Sequence, residues 1–159
     1  MKTLVLGLGN ELYGDDGVGI HVVRQIRKKH EKNHDSLQTL GDVDLVECSL
    51  SGLALLDVII GYDRLIIVDT IKKQDPSPGR IHILQDKDLR HIPGPSPHYV
   101  SIPQAIEIGK RLGLLVPTQI SIIAVEAKNM YNLGESLSED MKNAIPDIIQ
   151  VVEKILSEA

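Results

Sequence analysis

Residues 4–19 read Leu4-Val5-Leu6-Gly7-Leu8-Gly9-Asn10-Glu11-Leu12-Tyr13-Gly14-Asp15-Asp16-Gly17-Val18-Gly19. The stretch combines a short apolar run, a glycine-rich turn, two adjacent carboxylates and the start of an amphipathic helix, a pattern typical of an α/β unit. A strand–turn–helix that binds phosphate offers backbone N–H groups at the helix start. Two aspartates at that place repel a phosphate, so the sequence favours a metal ion or a proton-transfer role there.

The glycine spacing also disfavours a dinucleotide site. The fingerprint Gly-x-Gly-x-x-Gly, started at Gly7, requires a third glycine at position 12. The chain has Leu12 there, so the resemblance to a nucleotide-binding unit stops at the shape of the turn.

Composition narrows the class of protein. The 159 residues fit a single domain over residues 1–159, with an aliphatic core because Phe and Trp are absent. A formal net charge of -5 argues against a nucleic-acid partner. The single cysteine, Cys48, fits a reducing compartment and is predicted to be a small buried hydrophobe. No apolar run approaches membrane-spanning length, so we expect a cytoplasmic protein without a membrane partner.

Strand and helix patterns alternate along the chain. Apolar and alternating runs predict five strands, over residues 3–6, 44–47, 64–69, 80–84 and 119–125. Helical spacing predicts four helices, over residues 15–29, 51–60, 102–112 and 137–156, with Pro146 kinking or splitting the last one. The link between the third and fourth strands is too short for the crossover that parallel strands need. The predicted fold is therefore α/β, a single-domain three-layer sandwich. Its five-stranded twisted sheet is mostly parallel, with one antiparallel strand near an edge and helices on both faces.

Three side chains are expected to meet at one edge of this sheet. In open α/β sheets, ligands bind beyond the carboxyl ends of the strands, where the strand order reverses. Asp16 follows the first strand, Asp69 closes the third, and His98 comes at the end of a loop, just before the third helix. Carboxylates with one imidazole suit nickel, zinc or iron better than magnesium. These three residues are therefore the candidate metal ligands.

Structural alternatives stand beside these roles. An aspartate at a helix start is most often a cap, which is the role predicted for Asp15. Asp69 could instead hydrogen-bond to a neighbouring loop, and His98 could be an ordinary loop histidine. The basic residues between positions 24 and 32 are interpreted as the solvated face of the first helix. The remaining histidines are also predicted to be solvated, namely His21, His30, His34, His82 and His91.

Taken together, the motifs resemble those of the hydrogenase maturation proteases. The opening signature is Gly7-x-Gly9-Asn10 followed by Asp15-Asp16-Gly17-x-Gly19. Three further matches follow in order, Val68-Asp69, Ser96-Pro97-His98, and Val125-Glu126 with Leu133-Gly134-Glu135-Ser136-Leu137-Ser138. Two departures stand out, since the family often has Glu at the position of Asp16, and Ala127-Lys128-Asn129 replaces a segment that usually contains proline.

The resemblance implies an endopeptidase of the aspartic type. Its substrate would be the nickel-loaded precursor of a nickel–iron hydrogenase large subunit, from which it frees a short C-terminal peptide. Asp16, Asp69 and His98 would be both the catalytic residues and the contacts to the nickel that the substrate carries. Zinc or cadmium is expected to substitute for nickel in crystals. Either a carboxylate acts as general base on water, or the nickel polarises the scissile carbonyl or the water.

Two other functions fit part of the sequence. A peptidyl-tRNA hydrolase-like esterase also begins with a strand and Gly-Leu-Gly-Asn, but it continues with Pro-Gly where this chain has Glu11-Leu12. The acidic net charge also disfavours a tRNA substrate. A non-catalytic docking or scaffold protein could use the same three residues only to recognise nickel, and a cleavage assay distinguishes the two roles.

Overall fold

Five strands form one sheet with helices on both sides. The computed structural model describes residues 1–32, 41–85, 97–134 and 136–158, and for residues 97–101 only the backbone. The strands are β1 (Thr3–Leu8), β2 (Val43–Cys48), β3 (Arg64–Ile71), β4 (Ile81–Gln85) and β5 (Gln119–Glu126). The helices are α1 (Val18–Lys32), α2 (Leu55–Ile59), α3 (Pro97–Arg111) and α4 (Glu139–Ser157). Short 3₁₀ turns precede the first two helices, at Gly14–Gly17 and Gly52–Ala54.

The strand order is β2-β1-β3-β5-β4. The first four strands in this order run parallel, and β4 pairs antiparallel with β5 at the edge. The predicted fold class is confirmed, including the antiparallel strand near an edge. The chain moves from β1 outward to β2 and then returns to β3 on the other side of β1, so the strand order reverses between β1 and β3. Ligands of open α/β sheets bind at such a point.

Aliphatic side chains fill the space on each face of the sheet. Val5 and Ile66 belong to a buried cluster with α1 and α4, whereas Leu6 and Ile67 belong to a second cluster with α2 and α3. Successive residues of a strand point to opposite faces, so each buried strand contributes to both clusters. This explains the continuous apolar runs from which the strands were predicted.

Glycines let α1 start directly against the sheet. A Cβ built on Gly19 would lie 2.3 Å from the carbonyl oxygen of Val68, and one on Gly7 would lie 2.2 Å from the carbonyl oxygen of Gly19. Gly9 has a φ of 142°, and its Cβ would lie 1.9 Å from the carbonyl oxygen of Asp16. These glycines belong to the signature that resembles that of the family. Their lack of a side chain lets the turn that carries Asp16 lie against the ends of β1 and β3.

The helices differ from the prediction mainly in four places, and one is the second helix, predicted over residues 51–60, where Gly52–Ala54 form a 3₁₀ turn and α2 covers only Leu55–Ile59. The first helix was predicted from residue 15, but residues Gly14–Gly17 form a 3₁₀ turn and α1 begins at Val18. The third was predicted from residue 102, but α3 begins at Pro97, because proline is favoured in the first turn of a helix, where its missing N–H has no partner to lose. Pro146 does not split the last helix, since α4 runs unbroken through it. Pro146 and Lys142 are both exposed, so water can satisfy the carbonyl that the proline leaves without a donor.

Within the described part of the chain, no helix is long and apolar enough to cross a membrane.

Candidate functional site

Asp16 lies in the 3₁₀ turn that follows β1, and two donors hold its carboxylate. The backbone N–H of Asn10 donates to Oδ2 at 2.9 Å, and the hydroxyl of Thr70 donates to Oδ1 at 3.0 Å. The side chain is only partly buried. The tight turn thus presents one carboxylate, already oriented, at the edge where the strand order reverses.

Asp69 lies near the carboxyl end of β3 and is fully buried, with 0% of its surface exposed. Its Oδ1 accepts a hydrogen bond from the backbone N–H of Thr70 at 2.7 Å. The strand continues to Ile71, so Asp69 does not close it as the sequence predicted. Thr70 therefore contacts both candidate carboxylates, Asp16 through its hydroxyl and Asp69 through its amide.

His98 is the second residue of α3, not the last residue of a loop as the sequence predicted. Its side chain lies outside the described residues. The helix packs on the face to which Asp69 belongs, since Ile102 and Ile106 of α3 share a cluster with Ile67. The backbone of His98 thus starts on the same side of the sheet as Asp69, and the full three-residue set stays a prediction. No cluster of three metal-binding side chains occurs among the residues that are described.

Asp15 does not cap the helix that follows it, so the predicted cap is wrong. The carboxylate is 1% exposed and reaches Ser138, whose N–H and hydroxyl donate to it at 2.7 and 3.0 Å. Ser138 is the N-cap of α4, and its Oγ accepts from the backbone N–H of Met141 at 3.3 Å. Because the turn at Gly14–Gly17 places Asp15 and Asp16 on different sides, Asp15 anchors α4 and Asp16 faces the sheet edge.

Of the histidines predicted to be solvated, one is buried, and another is partly exposed but pairs with a carboxylate. His30 is buried in α1, and His82 of β4 lies 2.8 Å from Oε1 of Glu126. Glu126 is 2% exposed and also accepts from the N–H of Ser77 at 2.7 Å and from Lys73 at 3.1 Å. His21 is partly exposed, as predicted, and His34 and His91 lie outside the described residues.

The environment of Glu126 keeps its carboxyl ionised. Burial alone would raise the pKa, but hydrogen bonds from Ser77, His82 and Lys73 outweigh it and lower the pKa to about 2. In the sequence, Glu126 was noted only as part of the Val125-Glu126 resemblance to the family, and no contact was predicted for it. Its pairing was missed because the partners come from β4 and from the loop before it, and their approach depends on the antiparallel edge.

Ion pairs hold the loop that leads from β1 to Asp16. Arg24 donates to Glu11 at 2.8 Å and to Glu47 at 2.7 Å, and Arg27 donates to Glu47 at 2.7 Å. The hydrogen bond from Arg24 is the main reason why the pKa of Glu11 is lowered. The basic stretch of α1 is thus not merely a solvated face, because two of its arginines pair with Glu11 in the loop after β1 and with Glu47 in β2.

A cavity of about 380 Å³ opens beside the loops that follow β1 and β2. It is lined by Asn10, Glu11, Leu12, Ile20 and Ser49. Asn10 also donates to Asp16, so the cavity adjoins that carboxylate and offers room for part of a substrate. A larger cavity, about 620 Å³, lies at the opposite edge of the sheet, where β3 and β5 begin at Arg64 and Gln119. The larger cavity therefore does not coincide with the end of the sheet that carries the candidate carboxylates.

Cys48 is buried, as predicted. It packs in the cluster with α2 and α3, and its sulfur accepts from the N–H of Leu50 at 3.4 Å. Its surroundings are those of a packed side chain, whereas reactive thiols sit in partly exposed, electropositive places.

Comparison with known proteins identifies the family. The family model described as hydrogenase maturation protease matches residues 20–155. The chain belongs to the hydrogenase maturation protease family. Asp69 and His98 lie within the matched residues, and Asp16 lies four residues before them. The chain is therefore a peptidase of hydrogenase maturation, and the peptidyl-tRNA hydrolase alternative is set aside.

Relatives across bacteria and archaea agree with this family. The hydrogenase expression/formation protein HupD of Rhizobium leguminosarum bv. viciae is 24% identical over 158 residues, which cover 98% of this chain and 74% of the relative. The hydrogenase 2 maturation protease of Escherichia coli K12 is 31% identical over 90 residues, 56% of this chain and 50% of that protein. A putative hydrogenase maturation protease of Methanocaldococcus jannaschii is 26% identical over 94% of this chain and 92% of its own length.

Solved structures share the fold of this chain. The hydrogenase maturating endopeptidase HybD of E. coli superposes with a TM-score of 0.80 at 22% identity, covering 99% of this chain and 93% of that one. The [NiFe] hydrogenase maturation protease HybD of Thermococcus kodakarensis gives a TM-score of 0.70 at 24% identity, covering 98% and 99%. At these identities the likeness concerns the fold.

Proposed function

We propose that this peptidase removes a short C-terminal peptide from the nickel-loaded precursor of a nickel–iron hydrogenase large subunit. In this proposal Asp16, Asp69 and His98 contact the nickel that the precursor carries. Family membership supports the kind of substrate. The observation that carries the choice of site is that Thr70 hydrogen-bonds to both Asp16 and Asp69 where the strand order reverses.

The donor chemistry of the three residues fits nickel bound by the substrate. Two carboxylates and an imidazole offer oxygen and nitrogen, which suit a borderline divalent cation. Three donors from the protease leave coordination positions for groups of the precursor, as open metal sites do. The protease alone would therefore bind a divalent ion only weakly, and groups of the precursor would complete the coordination shell of the nickel.

Peptide hydrolysis then requires an activated water or a polarised carbonyl. One of the two carboxylates takes a proton from the water, or the nickel polarises the scissile carbonyl or the water. Asp16 is the more accessible of the pair, and Asp69 is buried. Both routes need the two carboxylates in a fixed arrangement. In this proposal the cavity beside Asn10 and Leu12 would receive the substrate residues next to the cleaved bond.

A cleavage assay on nickel-loaded precursor tests this function. We expect the wild-type protein to cut it, Asp16→Asn and Asp69→Asn to lose at least about 10²-fold in rate, and Asp16→Glu to keep substantial activity. The matched control is Asp147→Asn, which changes an exposed aspartate on α4 and should cut normally. Circular dichroism verifies that each variant is folded.

Two results would contradict the proposal. A wild-type protein that binds the loaded precursor but releases it uncut would be a docking protein. Normal cleavage by both Asp16→Asn and Asp69→Asn would show that the reaction does not depend on these carboxylates.

A further inference from the structure

We infer that Thr70 is a positioning residue that holds the two candidate nickel-contacting carboxylates in one arrangement. Its hydroxyl donates to Oδ1 of Asp16 at 3.0 Å, and its backbone N–H donates to Oδ1 of Asp69 at 2.7 Å. The inference rests on the proposed function, because it gives Thr70 its role through Asp16 and Asp69.

The place of Thr70 in the sheet explains how one residue reaches both carboxylates. The pairing of β1 with β3 ends at Gly7 and Val68, so Asp69 and Thr70 extend beyond it. Alternation along β3 puts Thr70 on the α1 face with Val68, and Asp69 on the α3 face with Ile67. The hydroxyl of Thr70 therefore donates to Asp16 in the turn on the α1 face. Its backbone N–H donates to the carboxylate of Asp69, which belongs to the α3 face.

Burial limits what Thr70 can do. The residue is 0% exposed, so its hydroxyl does not reach a substrate and acts only through its neighbours. A carboxylate has about four lone-pair positions. The hydrogen bonds from Asn10 and Thr70 to Asp16 leave room on its carboxylate for a metal ion. The hydroxyl thus fixes the direction of the carboxylate without blocking it.

Removing the hydroxyl should weaken metal binding while the fold persists. Partners that orient metal ligands from outside typically contribute 10- to 100-fold in metal affinity. For Thr70→Val and Thr70→Ala we therefore expect the dissociation constant for Ni²⁺ or Cd²⁺ alone to rise about 10-fold or more. Thr70→Ser keeps the donor and should stay within about threefold of wild type.

The experiment titrates each folded protein with NiCl₂ or CdCl₂ and follows backbone amide signals by NMR. Ile66→Val is the matched control, since it shortens a buried side chain on the same face of β3 and should lower the melting temperature without changing the metal dissociation constant. Thermal unfolding without metal measures stability separately. Thr70→Val and Thr70→Ala both remove the hydroxyl, so the test can be made if either variant folds.

The outcomes separate the two claims. Weakened metal binding in Thr70→Val or Thr70→Ala, restored in Thr70→Ser, supports the positioning role. Wild-type metal affinity in a folded variant without the hydroxyl overturns that role alone, provided the wild-type protein cuts loaded precursor. A wild-type protein that neither binds the ions nor cuts the precursor overturns the proposed function and the inference together.

Discussion

Two adjacent aspartates with the same side chain have different roles because they lie on a tight turn. In a 3₁₀ turn successive side chains point about 120° apart. Asp16 is thereby directed to Thr70 at the sheet edge, and Asp15 to Ser138 at the start of α4. The sequence predicted Asp16 as a candidate ligand and Asp15 as a cap, and the geometry shows that Asp15 anchors α4 instead of capping α1.

Asp15→Asn tests this division of roles. The buried carboxylate accepts two hydrogen bonds from Ser138, and bonds to a charged group contribute about 1.5–3 kcal/mol. Asparagine can keep the bond from the Ser138 N–H, so we expect the free energy of unfolding to fall by about 1–2 kcal/mol. Urea denaturation measures this loss, and cleavage per folded molecule should be close to wild type. A variant of undiminished stability that fails to cut would place Asp15 in the site.

At the scale of elements, buried strands were the most predictable part of the chain. Each observed strand lies within two residues of its predicted bounds, because a strand covered on both faces must be apolar throughout. The start of α3 at Pro97 was not predicted, and of the two effects predicted for Pro146, a kink or a split, the split does not occur. Residue 97 was interpreted as part of a loop, although proline is tolerated in the first turn of a helix, and Pro146 lies on the exposed side of α4.

Glu126 joins elements that are distant in sequence, and it makes the stability of the region around β4 and β5 depend on pH. Its carboxylate links the end of β5 to β4 through His82 and to the preceding loop through Lys73 and Ser77. The pKa is lowered from 4.5 to about 2 in the folded chain. Because the folded pKa lies below the unfolded one, the stabilisation is complete above about pH 4.5 and is lost as pH falls through about 2.

Glu126→Gln should therefore lower the free energy of unfolding by about 3 kcal/mol at pH 7. The difference from wild type should shrink as the pH falls from 4.5 toward 2, where the wild-type carboxyl also takes up a proton. Glu107→Gln is the control, since Glu107 is exposed on α3 and forms its ion pair with Arg111 at the surface. Denaturant unfolding at several pH values measures both variants, and an equal loss for Glu126→Gln at pH 2 and pH 7 would argue against an ionised Glu126.

At the scale of the whole molecule, the sequence predicted the sheet and its antiparallel outer strand. It also predicted that Asp16 and Asp69 lie at the carboxyl ends of the parallel strands. Local patterns were sufficient for this, since apolar runs, glycines and the short link before β4 each restrict the topology. The residues around the carboxylates were not predicted. Thr70, Asn10 and Ser138 meet them only after β3, the first turn and α4 are packed together, and nothing in their sequence positions indicates those contacts.

The cytoplasmic location and the nickel-loaded precursor stay predictions, and so does the joint action of Asp16, Asp69 and His98. The nickel-loaded precursor and the joint action of the three residues both depend on one central claim, that the metal is recognised at the carboxyl ends of β1 and β3. His98 has the greatest weight in that claim, because it is the one nitrogen donor of the predicted set.

Anomalous diffraction from crystals soaked with Ni²⁺ or Cd²⁺ tests that claim most directly. We expect one ion about 2.0–2.6 Å from carboxylate oxygens of Asp16 and Asp69 and from a ring nitrogen of His98. The same soak of Asp16→Asn crystals should give a weaker peak or none. An ion held only by His21, His30 or His34, with none at the edge between β1 and β3, would contradict the account.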